Sequence, residues 1–320
     1  MIMEFTKIQE IANAIKENIE KVMIGKSDVI SLILTALIAN GHVLLEDVPG
    51  TGKTVLAKAL AKSIAADFKR IQFTPDLLPS DITGLNFYNQ KLGQFTFRSG
   101  PAFTNILLAD EINRATPRTQ SSLLECMEEK QITIDGETRA LERPFLVIAT
   151  QNPVETAGTF PLPQAQLDRF VMQVSMGFPD FQEELGILNR FLLDNPLEYI
   201  SPVCTKEELL DLQTAIRSVY VHPSLMEYMV AIIQKTRVSD RVSLGVSPRG
   251  SLALLRVVQA YTAISGADYA TPETIQYLAP YVLSHRLVLR NSFQKNETAG
   301  EIIKNILANT PVPTENFLRR

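Results

Sequence analysis

The chain has 320 residues, enough for one large domain or two ordinary ones. Hydrophobic residues make up 45% and charged residues 21%, values typical of globular proteins, which excludes disordered and collagen-like classes. With 31 Lys and Arg against 35 Asp and Glu, the formal net charge of −4 argues against a broad basic surface for nucleic acid.

Cysteine and histidine are scarce in this chain. Cys126 and Cys204 are too few for a disulfide scaffold and lack metal-ligand spacing, so we interpret both as buried thiols in a reducing compartment. The N-terminal segment carries frequent charges, unlike a signal peptide, and the apolar run 29–39 is too short to cross a bilayer. We therefore expect a cytoplasmic protein with no membrane span.

The first half of the chain is predicted to form an α/β domain. Apolar residues at three- and four-residue steps indicate helices over 5–22 and 27–40, and a further helix is predicted over 53–66. Near-continuous apolar runs separated by helical segments are typical of a parallel sheet covered on both faces. The five predicted strands are 42–46, 70–74, 105–111, 144–150 and 170–176.

Two insertions interrupt this pattern and are predicted to be β-hairpins. In 84–100, the pair Leu92-Gly93 separates two alternating aromatic runs. In 130–141, Asp135-Gly136 is a strong signal for a two-residue hairpin turn. We expect both hairpins to project from the sheet without joining it.

The second half of the chain is predicted to be helical. Thr205 with Glu208 forms a capping-box pattern, and Ser247 and Thr271 each precede a proline at a predicted first helical position. The predicted helices are 181–194, 206–220, 223–236, 248–265 and 272–290. We therefore expect an α/β core over 1–179, a smaller all-α lid over 180–298 and a C-terminal tail over 299–320.

A phosphate-binding loop is predicted at 47–54, between the first strand and a helix. Glycines let the backbone wrap phosphates with its N–H groups pointing inward, and the helix N-terminus adds its positive end. Lys53 is expected to reach the β- and γ-phosphates and Thr54 to bind Mg²⁺. The alternative, a chance glycine-rich turn, does not explain the flanking strand and helix. Asp47 stands where the strict pattern has glycine, so we expect its side chain to point away from the phosphates.

Polar residues end the next two predicted strands of the sheet. Asp110 ends a buried strand and is expected near Mg²⁺, while Glu111 could polarise a water for in-line attack. Asn152 follows the next strand and could orient that water or contact the γ-phosphate, although Asn-Pro also suits an ordinary turn.

Two arginines complete the set of candidates. Arg169 precedes the last core strand, and Arg249 lies in the first turn of a lid helix, where the helix dipole disfavours a cation. An anion near Arg249 would explain this position. For both residues the alternative is a surface ion pair.

The order of these motifs, with the paired hairpins, resembles the MoxR family of AAA+ ATPases. The similarity extends over about 24–290 and is carried by DEINRATPRTQSSLLECMEE, ATQNP, LPQAQLDRF and SPRG. The resemblance implies that Lys53 and Thr54 are the Walker A pair, Asp110 and Glu111 the Walker B pair, Asn152 sensor 1, Arg169 the trans-acting arginine finger and Arg249 the sensor 2 arginine. It further implies nucleotide contacts by Ile24, Gly25, Pro49, Gly50, Thr51, Gly52, Lys53, Thr54, Val55 and Arg249, and metal binding by Thr54 and Asp110.

The resemblance also implies a function: an ATPase, with ATP and Mg²⁺, that works as a hexameric ring with sites between subunits. Its expected work is chaperone-like, on a protein client, with a von Willebrand factor A domain protein as possible partner. Arg114 is a lower-ranked candidate for a contact across the subunit interface. Two alternatives are a nucleic-acid motor of the helicase type, which the mixed charges of the hairpins disfavour, and a nucleotide-binding scaffold without hydrolysis, which the intact motifs disfavour.

Overall fold

Two helices precede the sheet of the first domain, and two hairpins interrupt it. A computed structural model of the chain describes residues 4–153, 158–290, 297–314 and 317. In chain order the elements of this domain are α1 (Phe5–Glu20), α2 (Ser27–Ile38), β1 (Val43–Glu46), α3 (Lys53–Ser63), β2 (Phe68–Gln72), α4 (Pro79–Thr83), β3 (Gly84–Asn89), β4 (Gln94–Ser99), β5 (Ile106–Asp110), α5 (Pro117–Glu129), β6 (Gln131–Ile134), β7 (Glu137–Ala140), β8 (Leu146–Gln151), α6 (Gln164–Leu167) and β9 (Met172–Val174).

The core sheet is parallel and has five strands in the order β2-β5-β8-β1-β9, which confirms the predicted sheet. The three inner strands are buried along nearly their whole length, which explains their continuous apolar sequences. Strand β2 begins two residues before its predicted start. It lies at the edge of the sheet, where the polar side chains of Lys69 and Arg70 remain accessible.

The two predicted hairpins are confirmed as separate two-stranded sheets, β3–β4 and β6–β7. Asp135 and Gly136 both have positive φ, 51° and 83°, as a two-residue turn of type I′ requires. The hairpins also contact each other. Asn86 donates a hydrogen bond to Asp135 (2.8 Å), and the Arg139 guanidinium lies 4.2 Å from the centre of the Phe97 ring. The two insertions therefore form one joint projection.

The second domain is helical, with one short pair of strands. Its elements are α7 (Phe181–Arg190), α8 (Lys206–Ala215), α9 (Pro223–Val238), β10 (Val242–Leu244), α10 (Pro248–Ile264), α11 (Pro272–Leu283), β11 (Val288–Leu289) and α12 (Ala299–Ala308). The helix predicted over 272–290 ends at Leu283. The following residues form a 3-10 turn, Ser284–Arg286, and strand β11, which pairs with β10 in antiparallel fashion.

The expected C-terminal tail begins later than predicted. Helix α12 occupies its first part, capped by Thr298 and Glu301, which bond reciprocally to each other's backbone N–H groups. Ile302, Ile303 and Leu307 are buried in the main hydrophobic core. The expectation of a tail from 299 was therefore wrong. The capping box and the apolar face of α12 could both have been read from the sequence.

Helices of the second domain pack against the first domain. Helix α10 packs against α1 and α2, and α11 packs against β9. The 3-10 turn at Ser284–Arg286 joins the domains, since Gln164 donates a hydrogen bond to the His285 carbonyl (2.8 Å). Within the described ranges, no helix is long and apolar enough to cross a membrane.

Candidate functional site

The loop between β1 and α3 has the backbone that its glycines allow. Gly50 and Gly52 have φ values of 87° and 92°, a region that disfavours residues with a Cβ. The Lys53 ammonium donates to the carbonyls of Asp47 (3.1 Å) and Val48 (2.9 Å), which holds it within the loop. We name the adjacent space, about 380 Å³, the P-loop cavity. It is lined by Asp47, Pro49, Gly50, Gly52, Lys53, Thr54, Val55, Arg70, Gln72, Asp110, Glu111, Thr150, Gln151 and Asn152.

The Asp47 carboxylate is bound by backbone N–H groups of the loop and of the chain after β9. Its Oδ2 accepts hydrogen bonds from the backbone N–H groups of Met176 (2.6 Å) and Gly177 (3.0 Å), and its Oδ1 from that of Val48 (3.1 Å). Asp47 therefore ties the loop to the chain after β9. These three donors stabilise the negative charge of the carboxylate.

Thr150 fixes the two acidic residues at the end of β5. Its hydroxyl donates to Asp110 Oδ1 (2.6 Å) and accepts a hydrogen bond from the Glu111 N–H (2.8 Å). Glu111 has left-handed backbone angles, φ 56° and ψ 50°. The parallel register of β5 and β8 thus places both carboxylates beside Lys53, although Asp110 and Glu111 lie 57 and 58 residues after it in the sequence.

Strand β2 contributes two cavity residues that the sequence interpretation missed. Arg70 donates to Asp110 Oδ2 (2.6 Å), and Gln72 donates to Glu111 Oε2 (2.8 Å). Gln72 is paired with Asp110 in the sheet register, and Arg70, two residues earlier, lies on the same face. The alternation of side chains along the strand was the sequence signal that could have identified both residues. Arg114 also contacts Glu111, with its Nε 2.7 Å from Oε2, so it bonds within its own chain here.

The residues at the cavity suit a magnesium nucleotide. Thr54 and Asp110 supply oxygen atoms, the ligands that Mg²⁺ prefers, and Mg²⁺ usually takes one or two carboxylates plus phosphate oxygens. Within the described residues there is no cluster of three or more His, Cys, Asp or Glu that would form an all-protein metal cage. Asn152 is buried in the cavity wall.

Four predicted nucleotide contacts, Ile24, Gly25, Thr51 and Arg249, are not among the residues that line the P-loop cavity. The segment containing the first two lies close by, because a Cβ on Gly52 would be only 3.3 Å from the Met23 methyl group. On its other side, a Cβ on Gly186 in α7 would be 3.3 Å from the Ile24 side chain. The segment 23–25 therefore lies between the P-loop and α7.

The two predicted arginines lie together in a different place, which we name the arginine cavity. It measures about 340 Å³ and is lined by Ala39, Asn40, Gly41, His42, Met127, Glu128, Lys130, Asp168, Arg169, Val171, Arg249, Leu252, Ala253, Arg256 and Arg286. Arg249 forms an ion pair with Glu128, and the Arg169 Nε lies 3.7 Å from the same carboxylate. Arg249, for which the resemblance implies a nucleotide contact, therefore lies away from Lys53 of its own chain, because α10 packs against α1 and α2.

The two cavities lie at opposite ends of the sheet. The P-loop cavity is formed at the carboxyl ends of β1, β5 and β8, whereas residues of the arginine cavity immediately precede β1 and β9. A strand rises about 3.3 Å per residue, so the four residues of β1 separate its two ends by about 13 Å. Of the residues described, none lines both cavities.

Burial and crowded cations shape the arginine cavity. Burial, with Arg143 and Arg256 nearby, lowers the pKa of Lys130 to about 8. Burial also lowers the pKa of His42 to about 4. The neutral His42 ring accepts a hydrogen bond from the Val147 N–H (2.9 Å) at Nδ1 and donates from Nε2 to the Met127 carbonyl (3.0 Å). It therefore joins the end of α5 to the sheet.

A parallel sheet with a P-loop at its carboxyl ends, followed by a helical lid, defines an AAA+ ATPase. Comparison with known protein families supports this class. The model of the ATPase family associated with various cellular activities (AAA) matches residues 42–172, and that of the AAA lid domain matches residues 234–306. The crystal structure of a candidate ATPase from Cytophaga hutchinsonii superimposes with a TM-score of 0.91 at 37% identity, covering 97% of each chain.

Similar bacterial proteins identify the family within this class. YeaC of Bacillus subtilis is 53% identical over 93% of this chain and 94% of its own length. Chaperone MoxR1 of Mycobacterium tuberculosis is 38% identical over 93% of this chain and 81% of its own length. The chain belongs to the MoxR family of AAA+ ATPases.

Proposed function

We propose that this protein binds ATP with Mg²⁺ and hydrolyses it at sites shared between neighbouring subunits of a ring, and that hydrolysis drives remodelling of a protein client. The observation that carries the proposal is the separation of the two cavities. Phosphoryl transfer needs positive charge where the transition state spreads negative charge over the γ-phosphoryl oxygens. Arg169 and Arg249 carry such charge but line the cavity at the amino end of the sheet.

Each cavity therefore supplies half of the proposed site. In the P-loop cavity, Lys53 and the loop N–H groups bind the phosphates, and Thr54 and Asp110 hold Mg²⁺, which neutralises phosphate charge when bound. Glu111 takes the proton of the attacking water, and Asn152 orients that water. Arg169 and Arg249 of the adjacent chain complete the site from outside. Ile24 and Gly25, beside the loop, contact the adenine.

A hexameric ring places each arginine cavity against the P-loop cavity of the next subunit.

The exposed side chains of the β3–β4 hairpin support a protein client rather than nucleic acid. Leu92 is 61% exposed and Phe95 72% exposed, and apolar surface of this kind suits contact with polypeptide. The chaperone name of the MoxR1 relative agrees with such work. A von Willebrand factor A domain protein is the proposed partner. The two free, buried cysteines suit the reducing cytoplasm.

Mixing two inactive variants tests the shared site. Lys53→Ala should not bind nucleotide, and Arg169→Ala should bind nucleotide without turning it over. In mixed rings some interfaces pair an intact Lys53 with an intact Arg169, so ATPase activity should partly return. The proposal is overturned if mixed rings form and stay inactive, or if Arg169→Ala alone has full activity.

A second mixture provides the matched control. Lys53→Ala and Glu111→Gln both damage the P-loop cavity, so no interface of their mixed rings contains an intact one. This mixture should remain inactive at every ratio. Activity there would mean that recovery in the first mixture does not depend on a shared site.

Binding to DNA tests the helicase alternative. A salt-sensitive complex of the parent protein with DNA at physiological salt would favour that alternative.

A further inference from the structure

Asp168, immediately before Arg169, links the two domains through both of its carboxylate oxygens. Oδ1 accepts a hydrogen bond from Arg286 Nε (2.7 Å), and Oδ2 accepts one from the Ser247 hydroxyl (2.8 Å). Arg286 belongs to the 3-10 turn after α11, and Ser247 is the N-cap residue of α10. One core carboxylate thus holds two separate segments of the lid.

Arg286 clamps the backbone around Arg169. Its guanidinium donates to the carbonyls of Asp168 (3.2 Å) and Phe170 (2.7 Å), the two residues that flank Arg169. Arg286 is only 3% exposed, and burial lowers its pKa while Asp168 acts in the opposite direction. A guanidinium so buried is stable only with its charge and its donors satisfied, and the 168–171 segment supplies most of its partners.

Ser247 connects Asp168 to the second arginine. A serine at the N-cap ordinarily accepts a hydrogen bond from the first turn of its helix. Within the described chain, Ser247 makes no such side-chain cap and donates to Asp168 instead. Arg249 follows two residues later, so the start of α10 is held at a fixed place relative to Arg169.

The side chains so placed repel each other and need this support. Arg169 and Arg249 come from different domains and meet on one carboxylate, that of Glu128. Lys130 and Arg256 add positive charge to the same cavity. Asp168 compensates the buried Arg286 while fixing the backbone of both arginine-bearing segments.

We propose that Asp168, acting through Arg286 and Ser247, is a positioning residue that couples Arg169 of the core to Arg249 of the lid, so that the two arginines reach the neighbouring subunit's nucleotide as one unit. This inference rests on the proposed shared site. It predicts that a displaced lid segment impairs turnover without affecting the nucleotide bound by the same chain.

Ser247→Ala is the primary test, because it removes the bond to Asp168 without removing a helix cap or a buried charge. Its kcat should fall about tenfold, and that of Asp168→Asn about 10²-fold, since small misplacements of catalytic groups have effects of this size. Nucleotide affinity measured by titration should stay within about twofold of the parent, a margin far smaller than a tenfold effect. Glu297→Gln, which breaks the lid's own 2.5 Å ion pair with Arg241, is the control and should leave kcat unchanged.

A double-variant cycle separates positioning from simple stapling of the lid. If Ser247 acts through Arg249, adding Ser247→Ala to Arg249→Ala should lower kcat no further. Multiplying losses, or full turnover of Ser247→Ala, would overturn the proposal, whether or not Asp168→Asn folds. Those outcomes leave the shared site intact provided that Arg169→Ala remains inactive and the mixed rings recover activity.

Discussion

The P-loop cavity and the arginine cavity lie at opposite ends of the same five strands, and they are built differently. Apart from Arg70 in the middle of β2, the residues of the P-loop cavity end a strand or belong to the loop and helix that follow it, so short motifs place most of them. The arginine cavity is joined by contacts over long sequence separations, 121 residues for Glu128 with Arg249 and 118 for Asp168 with Arg286. Local motifs therefore define the cavity for nucleotide, and domain packing defines the cavity proposed to complete it.

The largest expected effect separates the two cavities by function. Arg169→Ala should lower kcat by a factor of about 10³–10⁵, the usual contribution of an arginine finger, and leave ATP affinity unchanged. Steady-state kinetics and nucleotide titration measure the two quantities. Arg217→Ala, an exposed arginine outside both cavities, is the matched control. A parallel loss of affinity in Arg169→Ala would show that the cavities are not independent.

Within the P-loop cavity, Glu111→Gln should keep ATP bound and lower kcat by a factor of about 10²–10⁴. The amide cannot accept the proton of the attacking water, whereas Asp110 keeps its carboxylate and its bond from Thr150. Single-turnover hydrolysis and nucleotide titration should be measured together. Turnover at the parent rate would remove Glu111 from the role of base.

At the amino end of the sheet, His42 should make stability depend on pH. Its pKa is about 4 when buried in the folded protein and about 6.5 when unfolded, so the unfolded state binds the proton first as pH falls. Stability should therefore decline between about pH 6.5 and pH 4, by about 3 kcal/mol from this residue. Urea unfolding of the parent and of His42→Gln across this range measures the difference. Equal pH dependence in both proteins would contradict it.

The smallest expected effect concerns Asp47 at the rim of the P-loop cavity. Asp47→Asn weakens the bonds from the Met176 and Gly177 N–H groups and should cost about 2 kcal/mol of stability. ATP affinity should not rise, because the carboxylate is already bound by three backbone N–H groups. A tenfold gain in affinity would instead indicate that Asp47 repels the phosphates. Asp47→Ala is the companion variant and should be no more stable than Asp47→Asn.

Several elements were predictable because their signals are local. The buried strands, the Asp135-Gly136 turn and the Thr205–Glu208 capping box each formed as expected. Helix α12 had an equally local signal that was overlooked. The roles of Arg70 and Gln72 were harder to find, because they depend on β2 lying beside β5, a pairing of distant segments.

Local sequence signals were enough to predict the parallel sheet, the phosphate-binding loop and the acidic residues at the strand ends. Period, turn chemistry and glycine conformation act over a few residues, and parallel strands bring their carboxyl ends to one edge whatever their order. By contrast, the position of Arg249 beside Arg169, and not beside Lys53, follows from the packing of the two domains. That outcome depends on α10 packing against α1 and α2 and on one carboxylate, Asp168, receiving Ser247 and Arg286. Apolar burial between helices is not directional, so no short motif could specify which end of the sheet the lid would serve.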